Sequence, residues 1–411
     1  MTLLRRFRPL LTVVACVVSA LIMVLQIADP HGHIDMIIYR QGAQAYMDGA
    51  SLYQAGFPAY DLTLPFIYPP FAALLLSPFA LLSEQHAGYL MIALSGLLLA
   101  LCLWYLGRYL FSSPSAALLF TATGWGFGLL LEPVVQNAKF GQINMWLLAL
   151  VFLDIVPRKR KIPRGWLIGI AAAIKITPAV MVLYLVLRKD LKGIGMFILG
   201  AVGATAIGAL HNTKETVDFF GRAIFVMNDN SRIGVNIGYI SNQSIKGVLT
   251  RLWPSSEAAH NASDTIQVLW LILAVLVTVI FAVVMLRLLR SGLDFEAALV
   301  NTALMLLVSP ISWSHHWVWW PIWIAVLGYY ALRLRARTLV VLLGAMSFFM
   351  MTTPPHWWLG DPQGDQDFEQ ILLLKLWMDD YFFWTLFLIL PLLKTNVKGA
   401  AVSPAAPGVR T

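Results

Sequence analysis

Charge is what this 411-residue sequence is short of: Asp, Glu, Lys and Arg make up 12% of it, against 59% hydrophobic residues. Soluble domains carry roughly 25% charged residues. Two or three soluble domains are therefore excluded, and one polytopic membrane domain is indicated. A mean hydropathy of +0.73 agrees. Cysteine is nearly missing: Cys16 and Cys102 both lie in apolar stretches, so neither a disulfide framework nor a cysteine metal site is implied. There is no soluble α/β region, which argues against a nucleotide-sugar site, and no metal or cofactor is expected. The net charge of +8 comes without a basic face interleaved with aromatics. Nucleic acid is not an expected partner, and the excess reads as topological.

What the sequence has instead is apolar runs. Twelve candidate spans lie at about 9–27, 66–82, 88–111, 115–131, 143–156, 165–187, 193–211, 266–289, 296–310, 317–332, 337–351 and 371–393. Several fall short of the ~20 residues a full crossing needs, so tilted, broken or re-entrant elements are expected. The first run follows Arg5, Arg6 and Arg8 but lacks a small-x-small cleavage site, and reads as a retained span. One membrane domain over 1–398 is expected, with a small-residue tail, 399–411, that is disordered.

Lys and Arg orient the spans. The RRFR start, Lys189/Lys192, Arg287/Arg290, Arg333/Arg335/Arg337 and Lys394/Lys398 fit a cytoplasmic side, leaving 28–65, 212–265 and 352–370 outside. Simple alternation puts the basic run PRKRKIPR (157–164) on the wrong side. The order is restored if 115–156 makes one crossing fewer and 165–187 is re-entrant, broken at Lys175–Pro178, since proline interrupts the helix there.

Polar residues within this apolar background are the candidates for chemistry. Asp35, in HIDMIIYRQG, follows the first span at or near the interface, where a carboxylate is costly and usually paired or functional. Its plain alternatives are a helix-start charge or a salt bridge to Arg40. The following YRQGAQAYMDGASLY reads as an interfacial helix. Tyr68, before Pro69-Pro70, either lines an outer cavity or belongs to an aromatic belt. Gln142 and Asn144 end the polar cluster EPVVQNAKFGQIN, which reads equally as a loop or a sugar-binding surface. Lys175, flanked by about ten apolar residues on each side, costs roughly 2.5–3.5 kcal/mol to insert; a cavity that binds an anion would justify it. Asn242 and Gln243 in SNQS are amides suited to sugar hydroxyls. His315 and His316, among four tryptophans in SPISWSHHWVWWP, are titratable donors able to meet a phosphate. Adjacent histidines diverge by about 100° on a helix, so a shared metal is not expected.

In this order, HIDMIIYRQG, LPFIYPPFAALL, GQIN, AAAIKITP, SNQS and SPISWSHHW resemble the polyprenyl-phosphate-sugar-dependent glycosyltransferases of the GT-C fold. The similarity runs from near Asp35 to near Pro321. It is greatest to the actinobacterial α-1,2-mannosyltransferases that extend phosphatidylinositol mannosides and branch lipomannan. The resemblance implies that Asp35 is the catalytic acid-base group. It implies a polyprenyl-phosphate mannose donor, a lipid-anchored mannoside acceptor, and a histidine contact to the donor phosphate. It places the protein in the plasma membrane, with its site on the outer side. Arabinofuranosyltransferases share this layout and remain an alternative sugar assignment. A transporter or lipid flippase, with Lys175 and Asp35 on its pathway, is the alternative outside transferases.

Overall fold

The structure is a computed structural model that describes residues 2–29, 32–157, 159–160, 162–223, 236–359 and 370–393. The tail expected to be disordered, 399–411, lies outside the described residues, as do Lys394, Lys398 and most of 360–370. The chain is almost entirely helical, as expected of an all-α polytopic protein. Among the described residues the sheet is small, the hairpin of β1 (Phe57–Ala59) and β2 (Leu62–Leu64), antiparallel, with Phe57 opposite Leu64.

Among the described residues four helices are long and apolar enough to cross a membrane: α1 (Thr2–Ala28, apolar from Arg6), α4 (Glu84–Leu110), α10 (Leu191–His211) and the helix Ser263–Arg290. Six result if two bent pairs each count as one span. These are α5 (Pro114–Leu129) with α6 (Glu132–Phe140), bent by 67°, and Leu372–Met378 with Asp380–Leu393, bent by 74°. The twelve stretches read from the sequence thus overcount full crossings. The 66–82 stretch is an 11-residue helix, α3 (Pro70–Ala80), packed on α2 (Ile34–Met47). Its two-proline start leaves too little helix to cross.

The long helices face outward with apolar side chains. Val13, Val17, Leu21 and Val24 on α1, and Leu271, Val275 and Val279 on Ser263–Arg290, are all exposed. Repeats of three and four residues put each set on one helix face. Exposed apolar surface of this extent is lipid-facing. Between α1 and α5 the contact is close and polar. Ser19 donates to the Ala122 carbonyl at 2.9 Å, and Gln26 to that of Leu129 at 2.7 Å. A side chain at Gly126 would meet the Ser19 hydroxyl at 2.6 Å.

Basic residues gather at one end of the bundle. Arg8 bonds Ser113 and Ser115. Arg164 reaches Asp190, and Arg188 pairs with Asp294. Tyr109 and Tyr330 both donate to Glu296. Arg164, at the end of the basic run, therefore sits with the other basic loops. Asp154 ties it down, accepting the backbone N–H groups of Gly165 and Ile168 at 2.9 and 3.0 Å.

This is the outcome of the re-entrant reading. α8 (Trp166–Ile174) leaves the basic end and stops at Lys175; a 3-10 turn, Thr177–Met181, then feeds α9 (Val182–Leu187), which returns to Arg188. Nine residues of helix rise about 13 Å, less than half the length of neighbouring α10. Lys175 is thus held at the turn of a short inverted V.

The opposite end is fixed by buried polar clamps. Arg251 and Asp379, 1% and 0% exposed, form an ion pair. Arg251 also donates to the carbonyls of Tyr239 and Asn242, at 3.0 and 2.9 Å. Removing one partner from a buried pair strands the other charge and costs about 3–5 kcal/mol. Arg251→Met is expected to lower the thermal unfolding temperature in nanodiscs sharply. Pairing it with Asp379→Leu is expected to recover much of the loss; an unchanged melt for the single variant refutes the clamp.

Candidate active site

Asp35 lies in the first turn of α2, where the helix N-terminus favours negative charge. The salt bridge to Arg40 is not formed. Arg40 turns the other way and donates to the carbonyls of Phe79 and Leu82, with Glu84 at 3.7 Å. Asp35 is partly exposed, while Met36, Ile37, Ile38 and Tyr39 behind it are buried. Its carboxyl is met by the side chain of Gln142.

Gln142 reaches Asp35 because of the turn before it. α6 ends at Gly141, whose φ of +65° suits a residue without a Cβ. A Cβ at this position would stand 2.8 Å from the Met36 Cβ, so only glycine lets the α6–α7 turn approach α2. Asn137 completes the turn: its carbonyl accepts the Gln142 N–H at 2.9 Å, and its amide donates to the Gln142 carbonyl at 3.2 Å. α7 (Asn144–Ile155) starts two residues on.

From Gln142 a single network spreads. Its Oε1 accepts from the Tyr39 hydroxyl at 2.7 Å and from the Asn144 amide at 3.2 Å. Tyr39 and Tyr68 are 2.8 Å apart, oxygen to oxygen. Each hydroxyl has one proton, so Tyr39 donating to Gln142 makes Tyr68 the donor to Tyr39. With Oε1 occupied, the Gln142 NH₂ group faces Asp35. Asn144 donates its second proton to the His315 carbonyl at 3.1 Å and accepts from Lys175 at 3.2 Å. Lys175 Nζ also lies 3.1 Å from His316 Nε2 and 5.4 Å from the Tyr68 ring centre.

His315 and His316 form a buried 3-10 turn, Ser314–His316. Burial, together with Lys175, pushes both imidazoles well below their usual range, so both are neutral. His316 bonds the backbone of Ile311 and receives Lys175 on Nε2. His315 is different. Packed edge-on against Phe140 and His316, it has no hydrogen-bond partner on either ring nitrogen among the described residues. A buried imidazole with both nitrogens unmet is costly.

Of the nine residues singled out from the sequence, seven meet here: Asp35, Tyr68, Gln142, Asn144, Lys175, His315 and His316. Asn242 and Gln243 do not. Both are 0% exposed, and their amides are spent on protein. Asn242 takes the Ser312 N–H at 2.8 Å and donates to the Pro310 carbonyl; Gln243 donates to the carbonyls of Ile240 and Met378. They brace the histidine turn. Tyr39 was missed; its position four residues after Asp35 on one helix face was the available signal.

Burial raises the Asp35 carboxyl to about 6, partly offset by Gln142 and by the Lys175 charge. At neutral pH it is an ionised base of useful strength. At the other end of the network lie Lys175, which burial lowers to about 7, and two imidazoles; together they can cradle an anion, whose charge favours the protonated amine. The fold and site define a multi-pass membrane protein with a group-transfer constellation at the end away from its basic loops.

The sequence matches glycosyltransferase family 87 over residues 66–310, more than half of the chain. It is 34% identical over 341 residues to the polyprenol-phosphate-mannose-dependent alpha-(1-2)-phosphatidylinositol mannoside mannosyltransferase of Mycobacterium tuberculosis, covering 78% of this chain and 76% of that one. The protein of the same description in Mycolicibacterium smegmatis is 34% identical over 343 residues, 78% and 75% of the two chains. A phosphatidylinositol pentamannoside mannosyltransferase of M. smegmatis, also polyprenol-phosphate-mannose-dependent, is 29% identical over 87% of this chain and 86% of that one. The chain belongs to glycosyltransferase family 87.

Gly141→Ala tests the turn that presents Gln142. Strain at positive φ and the contact with Met36 are expected to cost about 1–3 kcal/mol, read as a lower melting temperature. A neutral effect would show that the α6–α7 turn does not need its close seat on α2.

Proposed function

We propose that this protein is an inverting α-1,2-mannosyltransferase of the plasma membrane, of GT-C type, working on the outer face. Its donor is polyprenyl-phosphate mannose, and its acceptor is a hydroxyl of a lipid-anchored mannoside, a phosphatidylinositol mannoside or lipomannan. Family membership and the descriptions of the mycobacterial relatives support the reaction and the donor. The observation that carries the site assignment is the pairing of an accessible base, Asp35, with an unmet imidazole and a lysine across one hydrogen-bond network. The outer face follows from the basic loops gathering at the opposite end.

The chemistry balances without a further reagent. Asp35 takes the proton of the acceptor hydroxyl as its oxygen bonds the anomeric carbon. The bond from that carbon to the phosphate oxygen breaks, and polyprenyl phosphate leaves with the electron pair. A β-linked donor gives an α-linked product by this single displacement. Lys175, His315 and His316 meet the charge that grows on the departing phosphate. Gln142 and Asn144 keep base and cradle at a fixed separation, and Tyr68 lines the space between them. Holding two lipid-tethered sugars in line supplies much of the barrier reduction.

Purified protein in nanodiscs, given labelled polyprenyl-phosphate mannose and a panel of phosphatidylinositol mannosides, is expected to form α-1,2-mannosyl product by linkage analysis. Product from polyprenyl-phosphate arabinofuranose alone would replace the sugar, and movement of donor without a new glycosidic bond would replace the enzyme by a transporter. Asp35→Asn is expected to lower turnover by about 10²–10⁴-fold; turnover like that of wild type would remove Asp35 from the mechanism.

The base works only when ionised. kcat/KM is therefore expected to fall as pH drops below about 6, where the Asp35 carboxyl protonates. Lys175 favours the ionised form, so Lys175→Met is expected to move this acid limb to higher pH. A limb that stays put would show that Lys175 is not coupled to the base.

A further inference from the structure

Beside the histidine turn lies a second buried cluster that the transfer chemistry does not use. Glu132, the first residue of α6, is 7% exposed. Its Oε1 accepts from the Ser314 hydroxyl and from the Trp357 indole N–H, each at 2.8 Å. Its Oε2 accepts from the Tyr381 hydroxyl at 2.7 Å. His356, fully buried, places Nε2 3.8 Å from Glu132 Oε1 and holds Asp380 through Nδ1 at 2.9 Å. Its backbone N–H also donates to Asp380. Burial alone would lower His356, but the two carboxylates outweigh it and raise it to about 9. The cluster thus sets two acidic side chains around one imidazole whose protonated form they favour.

Two buried acidic side chains and a buried imidazole are an expensive way to hold a loop. Neutral bonds already brace the same turn: Ser312 to Asn242, and Ser314 N–H to the Ser241 hydroxyl at 3.0 Å. What Glu132 adds is a strong, charge-assisted bond to the side chain immediately before His315. That serine fixes where the 3-10 turn begins, and so where the unmet ring of His315 points.

We propose that Glu132 is a positioning residue for polyprenyl-phosphate binding: through Ser314 it aims the His315 imidazole, and His356, Trp357 and Tyr381 hold Glu132 in place. This rests on the reading of His315 as a ligand of the donor phosphate. Glu132 touches no substrate; it acts through Ser314.

The test uses the full chain in nanodiscs with undecaprenyl phosphate, which carries no sugar, as the binding probe, alongside steady-state transfer kinetics. Loss of one hydrogen bond to a charged group is worth about tenfold. Ser314→Ala and Glu132→Gln are each expected to weaken binding about tenfold and to raise the donor KM alike, with the acceptor KM unchanged. The double variant is expected to bind no more weakly than the singles, since both remove the same link. Ser314→Thr, which keeps the hydroxyl, is expected to restore binding. Tyr381→Phe, which removes one of the bonds that hold Glu132 but leaves its bond to Ser314, is expected to weaken binding less than Ser314→Ala does; a loss larger than that of Ser314→Ala overturns the route through Ser314. If Glu132→Gln fails to fold, the Ser314→Ala and Ser314→Thr pair decides the matter. Wild-type binding by Ser314→Ala, or losses that multiply in the double variant, overturns the proposal. Wild-type protein that does not bind undecaprenyl phosphate overturns this inference and the functional reading together. Wild-type protein that binds it but transfers no mannose overturns only the functional reading, and the binding arm still decides for or against Glu132.

Discussion

Asp35 and Lys175 are connected but not paired. The described contacts hold no salt bridge between them; the neutral amides of Gln142 and Asn144 stand in the path. A direct ion pair would hold the carboxyl far below its ordinary range and make it a poor base. It would also occupy the ammonium that an incoming anion needs. Two amides in series give mechanical coupling with limited charge neutralisation. Each amide has its oxygen and nitrogen committed, so neither can rotate to let the charges meet. On the proposed reading, the spacing of base and cradle, and with it any in-line transfer, rests on this arrangement.

That spacing is delivered by unusually short helices. The chain reaches the site five times without a full-length span: at the start of α2, at Tyr68 before α3, at the turn between α6 and α7, at the apex between α8 and α9, and at the histidine turn Ser314–His316. Helix termini carry unsatisfied backbone groups and polar side chains that a continuous span would have to bury in lipid. Placing such ends against one another inside the protein lets polar residues gather at depth. The long helices α1, α10 and Ser263–Arg290 then form an apolar exterior and contribute nothing to the constellation.

Much of this was legible in the sequence because intramembrane charge is conspicuous. Lys175 stood out by its apolar flanks, and Lys175–Pro178 announced the break that the structure contains. Asp35 stood out by its place after the first span. What could not be read was the destination of neutral polar side chains. Asn242 and Gln243 carry the same groups as Gln142 and Asn144, and no local pattern says which pair meets protein and which lines the site. The difference is tertiary: the 238–244 segment is pinned under the histidine turn by Arg251, which itself depends on Asp379, 128 residues away. Tyr39 and Glu132 were obscured for a related reason. A tyrosine on a helix near the interface, or a glutamate opening a helix, has an ordinary explanation until its partner arrives from a distant part of the chain.

The electrostatic state of the site bears on how it would treat a phosphate. His315 and His316 are neutral because they are buried and because Lys175 is near. On the proposed reading, an arriving phosphate brings negative charge to this spot, which favours protonation of both rings and opposes the effect of Lys175. The cradle would therefore strengthen as charge accumulates on the leaving oxygen, the direction in which transition-state stabilisation must act. His316 already has both nitrogens engaged, by Ile311 and Lys175, whereas His315 has neither. The free capacity to follow that charge thus lies with His315, whose carbonyl is tied to Asn144 and whose preceding serine is tied to Glu132. A ring held at both backbone and neighbour, yet unbonded itself, is organised for a partner that comes and goes.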